Sequence, residues 1–174
     1  SYQIYNNMYD TRYYESLQRS TSTDFKINKY VTNSATIDLS ASTSDELSVS
    51  YGTAYRASYC SANWIVYRLT DIMLMKAEAL VQLAVDRENG KDPKLSEAFK
   101  LVNAVNLRSN CDKNKVAVLD STLYTTKSTM NNLVMAERQR ELMFEGKRWF
   151  DLVRRARREG NTDYLVEQVK RKYT

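Results

Sequence analysis

Residues that break helices are scarce in this chain. Proline occurs once, at Pro93, and glycine occurs four times in 174 residues. Proline removes a backbone donor and glycine lowers helix stability, so a chain with so few of either favours long helices. The length is also sufficient for one domain with a hydrophobic core. The sequence therefore predicts an all-α fold.

The character of the chain changes near residue 63. Residues 1–62 are rich in Tyr, Ser, Thr and Asn, and their hydrophobic periodicity is weak. Short pieces at residues 25–27 and 29–31 are typical of extended strands, and residues 40–50 are typical of a polar loop. We expect residues 1–62 to form a loop-rich, irregular segment and residues 63–174 to form a helical scaffold, within one domain.

Two helical patterns joined by a short link follow this change. The first begins at Trp64 and stops at Asn89 and Gly90. The second begins with Asp92 as N-cap and Pro93 at the first helical position, and ends near residue 110. The short link predicts an antiparallel helix hairpin. The apolar positions are Ile65, Leu69, Ile72, Met73, Met75, Ala79, Leu80, Leu83 and Ala84 in the first helix, and Leu95, Ala98, Phe99, Val102 and Val105 in the second.

A second helical unit is expected in the last third of the chain. Ser128 is the predicted N-cap of a third helix, which Gly146 interrupts. The apolar pattern resumes at Trp149 and Phe150, and Gly160 is the predicted C-cap. Residues 162–172 form a last short helix in this interpretation. The predicted fold is therefore all-α, with tetratricopeptide-like antiparallel helix pairs and a loop-rich, irregular amino-terminal third.

Composition excludes several kinds of site. Histidine is absent, which removes the commonest general base and metal ligand. Cys60 and Cys111 are too few for a metal site, so we expect no metal and no cofactor. The helices after Cys60 and before Cys111 differ in length by roughly 10 Å, so we expect both thiols to be unpaired. No apolar run of about 20 residues is present to span a membrane.

Basic residues accumulate near the end of the chain, whose formal net charge is +5. A basic surface is one indication of nucleic-acid binding. Acidic residues are interleaved throughout, however, and the helix dipole stabilises cations at a helix C-terminus. We therefore interpret these residues as a solvated helix face and expect no nucleic-acid partner. They are Arg154, Arg155, Arg157, Arg158, Lys170, Arg171 and Lys172.

Carboxylates and arginines alternate along the predicted third helix. Glu137 and Glu141 lie one turn apart, and paired carboxylates suggest the acid and base of a glycosidase. Neighbouring arginines would hold both carboxylates ionised, which does not suit a general acid. We therefore interpret the residues as a structural charge network. Its predicted members are Arg68, Asp71, Glu78, Glu137, Arg138, Glu141, Glu145, Arg148 and Asp151.

The polarity of Asp71 and Glu78 predicts one contact of this network. Asp71 and Glu78 lie among apolar neighbours on the first helix, and polar groups placed in this way need partners. We expect one of the two to pair with an arginine of the third helix, with Arg138 as the best candidate.

Tyrosines are concentrated in the first part of the chain, where ten of the thirteen fall at or before Tyr67. Sugar recognition needs an aromatic face for stacking, although tyrosine also packs well in half-buried irregular structure. Trp64, at the start of an apolar helix, is expected in the core. The candidates for ligand contact are Tyr13, Tyr14, Tyr51, Tyr55 and Tyr59.

Two stretches carry a family resemblance. Glu137-Arg138-x-x-Glu141-Leu142-x-x-Glu145-Gly146-x-Arg148-x-x-Asp151-Leu152-x-Arg154 resembles the hallmark helix of the SusD/RagB family of outer-membrane nutrient-binding lipoproteins. Arg68-x-x-Asp71, followed by Leu74-Met75-x-Ala77-Glu78-Ala79, is similar to its other signature. Asp10-Thr11-Arg12-Tyr13 and Lys29-Tyr30 resemble weaker landmarks. The chain departs from the family where the second helix closes, because Ser109 and Asn110 stand where an Ala-Gly pair is common.

The resemblance implies a carboxy-terminal segment of an α-helical, glycan-binding lipoprotein of a polysaccharide-utilisation system. Such a protein lies on the outward face of the outer membrane, where it caps a TonB-dependent, SusC-like transporter. It is not an enzyme, has no catalytic residue, and binds the membrane only through a lipid anchor that lies outside this segment. The alternative is a helical protein–protein interaction scaffold with no small-molecule site of its own.

Overall fold

The computed structural model describes residues 4–5, 7–19, 25–30, 35–42, 47–52, 63–87, 90–112 and 118–171. Helices dominate these residues, and the predicted all-α class is confirmed. The strands among the described residues form two small antiparallel pairs, β1 with β2 and β3 with β4. The elements are α1 (Thr11–Ser16), β1 (Leu17–Arg19), β2 (Phe25–Ile27), β3 (Ala35–Asp38), β4 (Ser48–Tyr51), α2 (Leu69–Leu83), α3 (Pro93–Arg108), α4 (Lys127–Glu141), α5 (Arg148–Glu159) and α6 (Asp163–Lys170).

α2 and α3 form the antiparallel hairpin that the sequence predicts. Asp92 is the N-cap of α3 and accepts a hydrogen bond from the backbone nitrogen of Lys94 at 2.8 Å, with Pro93 at the first helical position. The same carboxylate accepts a hydrogen bond from the backbone nitrogen of Val85 at 3.2 Å. One buried side chain therefore fixes both the chain that leaves α2 and the start of α3.

α4 packs against both helices of this hairpin. Lys127, at the start of α4, donates to the carbonyl of Gln82 near the end of α2, so the two helices are antiparallel. Arg108 at the end of α3 reaches Glu141 at the end of α4, so these two are parallel. The result is the tetratricopeptide-like arrangement expected from the sequence. The core between the three helices consists of Leu74, Ala77, Val81, Ala84, Leu95, Ala98, Val102, Val105, Met130, Leu133 and Val134.

The buried face of α2 differs from the prediction. Leu74, Ala77 and Val81 are fully buried, whereas Leu69 and Leu83 are 75% and 67% exposed. Apolar residues occur nearly all round this helix, so three- and four-residue spacing fits more than one face. On α3, by contrast, polar residues cover the outer side, and the predicted apolar face is the buried one.

Both ends of α2 also differ from the prediction. The helix begins at Leu69 rather than at Trp64, because Arg68 before it has an extended backbone. It ends at Leu83, before the predicted stop at residues 89–90. The backbone nitrogen of Val85, two residues after the end, is bonded to Asp92 instead of to a helix carbonyl.

Thr126 caps α4 in place of the predicted Ser128. Its hydroxyl accepts a hydrogen bond from the backbone nitrogen of Thr129 at 3.2 Å, and the Thr129 hydroxyl accepts one from the backbone nitrogen of Thr126. This reciprocal pair is a capping box, and it places the helix start earlier than a single cap at Ser128 would. Gly160 ends α5 in the left-handed conformation, as predicted, and α6 lies within residues 162–172.

The amino-terminal third contains short elements between irregular segments. α1, which the sequence analysis did not predict, begins at Asp10 as its N-cap. Residues 25–27 form a strand as predicted, but Lys29 and Tyr30 form a turn, and β4 occupies the end of the predicted loop at residues 40–50. In register, Gln18 lies opposite Lys26 and Thr36 lies opposite Ser50.

The described residues contain no helix that is long and apolar enough to cross a membrane. Within the same ranges, no group of His, Cys, Asp and Glu side chains is arranged to hold a metal ion. Cys111 is a half-buried free thiol, and burial raises its pKa. Cys60 lies outside the described residues.

Candidate functional site

A turn of six residues, 142–147, joins α4 to α5. Phe144 and Gly146 adopt left-handed backbone conformations there, with φ of 65° and 71°. The turn takes Glu145 off the helix that carries Glu141 and buries its side chain. Glu141 and Glu145 consequently face a common set of cations rather than lying along one helix face.

These two carboxylates form the centre of a buried ionic cluster, which we call the Glu141 cluster and define as Arg12, Lys29, Arg68, Glu141 and Glu145. The Lys29 ammonium lies 2.6 Å from Glu145, and the Arg68 guanidinium lies 2.8 Å from it. Arg68 also bonds Glu141, and Arg12 lies 3.0 Å from the other Glu141 oxygen. The amino-terminal segment, the start of α2 and the end of α4 therefore meet at this cluster.

The electrostatics of the cluster determine the protonation state of Glu141. Burial alone would raise its pKa, but the hydrogen bond and charge of Arg68, with the charges of Arg12 and Arg108, lower it to about 2. Glu141 is consequently ionised at neutral pH, so it has no proton to donate as a general acid.

Arg12 links the cluster to the next turn of α4. Its guanidinium lies 2.7 Å from Glu137 and 2.6 Å from Asp10. Glu137 is fully buried, and its second oxygen is 2.6 Å from Arg140. Both Glu137 oxygens are thus engaged by cations, which makes this residue a structural anchor for α1.

A second ionic group lies between α2, α4 and α5. Arg138 is buried and lies 3.0 Å from Asp71 and 2.9 Å from Asp151. Asp71 is one of the two partners expected from the sequence. Glu78, the other, is bound instead by Arg154 and Arg158 of α5, each at 2.7 Å.

Arg148 lies apart from the network to which the sequence analysis assigned it. It donates to the carbonyl of Met135 at 3.3 Å and to the side chain of Gln168 at 3.2 Å. The reason is the turn at residues 142–147, which removes the helical spacing that would have placed Arg148 beside Glu145. Trp149 and Phe150, assigned by the same pattern to an apolar face, are exposed.

Sequence spacing did not identify several cations of these groups. Arg12, Lys29, Arg108 and Arg158 bind carboxylates on elements that are distant in sequence, which helical periodicity does not reveal, whereas Arg140 lies three residues from its partner Glu137 on α4. In the sequence, Arg12 and Lys29 belong to the weaker family landmarks at residues 10–13 and 29–30, and these landmarks alone predict no contact. The missed cations are Arg12, Lys29, Arg108, Arg140 and Arg158.

Three of the candidate tyrosines lie in the described part of the chain. Tyr13 and Tyr14 are half-buried, with ring centroids 5.0 Å apart in an edge-to-face arrangement. The Tyr51 hydroxyl donates to the carbonyl of Leu17 at 3.4 Å, and burial raises its pKa. These rings participate in local packing, and their role in ligand contact stays a prediction. Tyr55 and Tyr59 lie outside the described residues.

Trp64 is not in the core, contrary to the sequence prediction. Its side chain is 59% exposed, and it precedes α2 rather than lying within it. The indole stacks on Tyr30, with ring centroids 5.2 Å apart and planes inclined by 13°. Three residues on, Tyr67 is 67% exposed, with the Lys147 ammonium 4.3 Å above the centre of its ring.

Comparison with known proteins identifies the family. The model of the SusD family matches residues 2–173. This chain belongs to the SusD family. It is 31% identical over 148 residues to SusD-like protein P38 of Formosa agariphila, which covers 83% of this chain and 24% of that protein. It is 30% identical over 94 residues to SusD-like protein P2 of the same organism, which covers 54% of this chain and 17% of that protein.

The chain therefore spans about a quarter or less of the length of these two SusD-like relatives. No solved structure matches it. In this SusD-family chain the two signature stretches lie against each other, since Arg68 and Asp71 of one bind Glu141 and Arg138 of the other. The charged signature residues thus hold the helices and the amino-terminal segment together.

Proposed function

We propose that this chain is the carboxy-terminal scaffold of a non-catalytic protein that captures glycans at the outward face of the outer membrane. The full-length protein would deliver the glycan to a TonB-dependent, SusC-like transporter, and a lipid anchor outside this segment would hold it at the membrane. The observation that carries the proposal is the SusD-family match across residues 2–173.

The state of the buried carboxylates supports a role without catalysis. A glycosidase needs one carboxylic acid whose pKa is raised, so that it can protonate the leaving group. Glu141 has the opposite shift, with a pKa of about 2, and three arginines surround it. The arginines around Glu141 therefore favour a structural role for this carboxylate.

Calorimetry of the full-length parent protein and of the isolated chain tests this function. The titrants are neutral oligosaccharides of glucose, xylose, mannose and galactose, and turnover is followed by release of reducing ends. We expect measurable binding by the parent, weak or undetectable binding by the isolated chain, and no hydrolysis by either. A parent protein that binds none of these glycans, or one that cleaves them, would contradict the proposal.

The second candidate is a helical scaffold that binds other proteins and has no small-molecule site of its own. The exposed apolar side chains of α2, including Leu69, Ile72 and Leu83, favour it. The same experiment separates the two functions, because a scaffold would leave the glycan titrations of the parent without a binding signal.

A further inference from the structure

Trp64 presents an aromatic face that packing does not account for. One side of the indole is covered by Tyr30, to which it is nearly parallel at 5.2 Å, and 59% of the side chain stays exposed. An exposed tryptophan is unfavourable in water unless something covers it, and a flat indole face matches the apolar C–H face of a sugar ring. We call Trp64, Tyr30, Tyr67 and Lys147 together the Trp64 platform.

The turn after α4 fixes the position of this platform. A Cβ atom on Gly146 would lie 3.3 Å from Cζ2 of Trp64, so the indole edge rests against the glycine backbone. The Tyr30 hydroxyl donates to the carbonyl of Phe144 at 3.3 Å, and the adjacent Lys29 is bound to Glu145. The rings are therefore held before any ligand arrives, which lowers the entropy cost of binding.

Tyr67 lies three residues after Trp64 in the chain, and Lys147 directly follows Gly146, whose backbone contacts the indole. Tyr67 is exposed, and the ammonium of Lys147 lies over its ring. Lys147 also donates to the carbonyl of Val66 and lies 3.4 Å from Asp71, a carboxylate that it shares with Arg138. The side chains of the platform are therefore mostly aromatic, and the ammonium of its one cation is already bound by groups of the protein. These features favour a neutral sugar over an acidic one.

We propose that the Trp64 platform is a subsite that stacks one pyranose ring of a neutral glycan on the open face of Trp64. This inference rests on the proposed glycan-capturing function and adds where, on this chain, one sugar of the ligand is held. The neighbouring aliphatic side chains Leu69 and Ile72 are not part of it.

The test uses the full-length parent protein with Trp64→Ala, and with Trp64→Phe to keep a ring. The matched control is Trp149→Ala, which removes the other tryptophan of the chain, 56% exposed and outside the platform. Kd values come from calorimetry with the neutral oligosaccharide that the parent binds best. Tryptophan fluorescence is followed during the same titration. Melting temperatures verify that each variant is folded.

We expect Trp64→Ala to raise Kd at least about tenfold and Trp64→Phe to raise it less. We also expect Trp149→Ala to stay within about twofold of the parent. The glycan-induced fluorescence change should be smaller in Trp64→Ala than in the parent and unchanged in Trp149→Ala. If Trp64→Ala fails to fold, the affinity of Trp64→Phe and the reduced fluorescence change of that same variant carry the test.

Unchanged glycan affinity in Trp64→Ala would overturn this inference while the proposed function stands. A melting temperature that also falls by several degrees would then assign the indole to packing against the rest of the parent protein. A parent that binds no neutral glycan would remove the function and the subsite together.

Discussion

At the scale of single residues, Arg138 is a buried cation that is held between two buried carboxylates. It is buried between Asp71 and Asp151, at 3.0 and 2.9 Å. Replacing it with Met would leave both carboxylates buried without this cation. Removal of one partner from a buried ion pair typically costs about 3–5 kcal/mol. We expect Arg138→Met to lower the free energy of unfolding by that amount, measured by chemical denaturation of the chain.

The control for this measurement is the ion pair between Lys76 and Glu97, which crosses the α2–α3 hairpin at 2.8 Å. Both of its side chains are more than half exposed. Exposed pairs contribute about 0–1 kcal/mol, so Lys76→Met should have little effect. If Arg138→Met proved as mild as Lys76→Met, the arginine would not be a structural anchor.

Glu141 makes the free energy of unfolding depend on pH, and its lowered pKa determines the direction of that dependence. Its pKa is lowered from 4.5 to about 2 in the folded state. The unfolded chain therefore takes up a proton first as pH falls, and the stabilisation from Glu141 is complete above about pH 5 and is lost towards pH 2. We expect Glu141→Gln to reduce the slope of unfolding free energy against pH in this window. Equal slopes in the two proteins would contradict the assignment.

Residue-scale prediction from the sequence succeeded where two partners belong to helices with clear patterns. Arg138 is the predicted partner of Asp71 or Glu78, because a carboxylate among apolar residues needs a cation, and it binds Asp71. Arg148 was misassigned because a turn interrupts the helical spacing at residues 142–147. Arg12 and Lys29 were missed because their partners lie more than 100 residues away in the chain.

At the scale of elements, the turn between α4 and α5 depends on Gly146. Its φ is +71°, and an added Cβ would lie 3.3 Å from Trp64. Gly160 has a similar φ of +68° but nothing within 4 Å of an added Cβ. The left-handed conformation costs a non-glycine residue about 1–2 kcal/mol. We expect Gly160→Ala to show that cost and Gly146→Ala to exceed it, in parallel denaturation experiments.

The difference between the two glycine variants isolates the contact with Trp64. Equal destabilisation by the two would mean that the indole moves aside freely, which is incompatible with a platform held by the turn.

Element-scale prediction depended on how amphipathic each helix is. α3 was predicted with its N-cap and its buried face, because charged residues mark its outer side and Asp92 and Pro93 mark its start. The buried face predicted for α2 was wrong because apolar residues occur on nearly every side of that helix. α1 was missed because six residues carry too little periodicity, and its start is held by tertiary backbone contacts of Asp10 and Thr11 with Asn110 and Ser109 after α3.

At the scale of the whole molecule, the positive charge is largely neutralised where it is densest. Arg154 and Arg158 bind Glu78, and Arg155 binds Glu159. A surface whose arginines are already paired releases few counterions from DNA. We expect the chain to bind a 20-base-pair duplex no more tightly than about 10 μM at physiological salt. Submicromolar binding with a steep salt dependence, measured by fluorescence polarisation, would show that these arginines are available.

The class of the fold was accessible from the sequence because scarce helix breakers and repeated apolar spacing act over long stretches. The site was accessible only in part. The signature stretches indicated which charged residues belong together, but exposure of Trp64 depends on where α2 begins, and Arg68 decides that through its extended backbone. Local sequence rules do not encode such a boundary, since the Arg68 side chain is held by Glu141 and Glu145.

The contact between Arg12 and Glu137 constrains the order in which parts of the chain can fold. The two residues are 125 positions apart. At 5–20 residues per second, translation places roughly 6–25 s between the two residues. During that interval Asp10 is the only carboxylate of its final set that Arg12 has available, and α1 has no α4 to dock on. Residues 10–16 can therefore dock in their final place only after Glu137 of α4 has been synthesised.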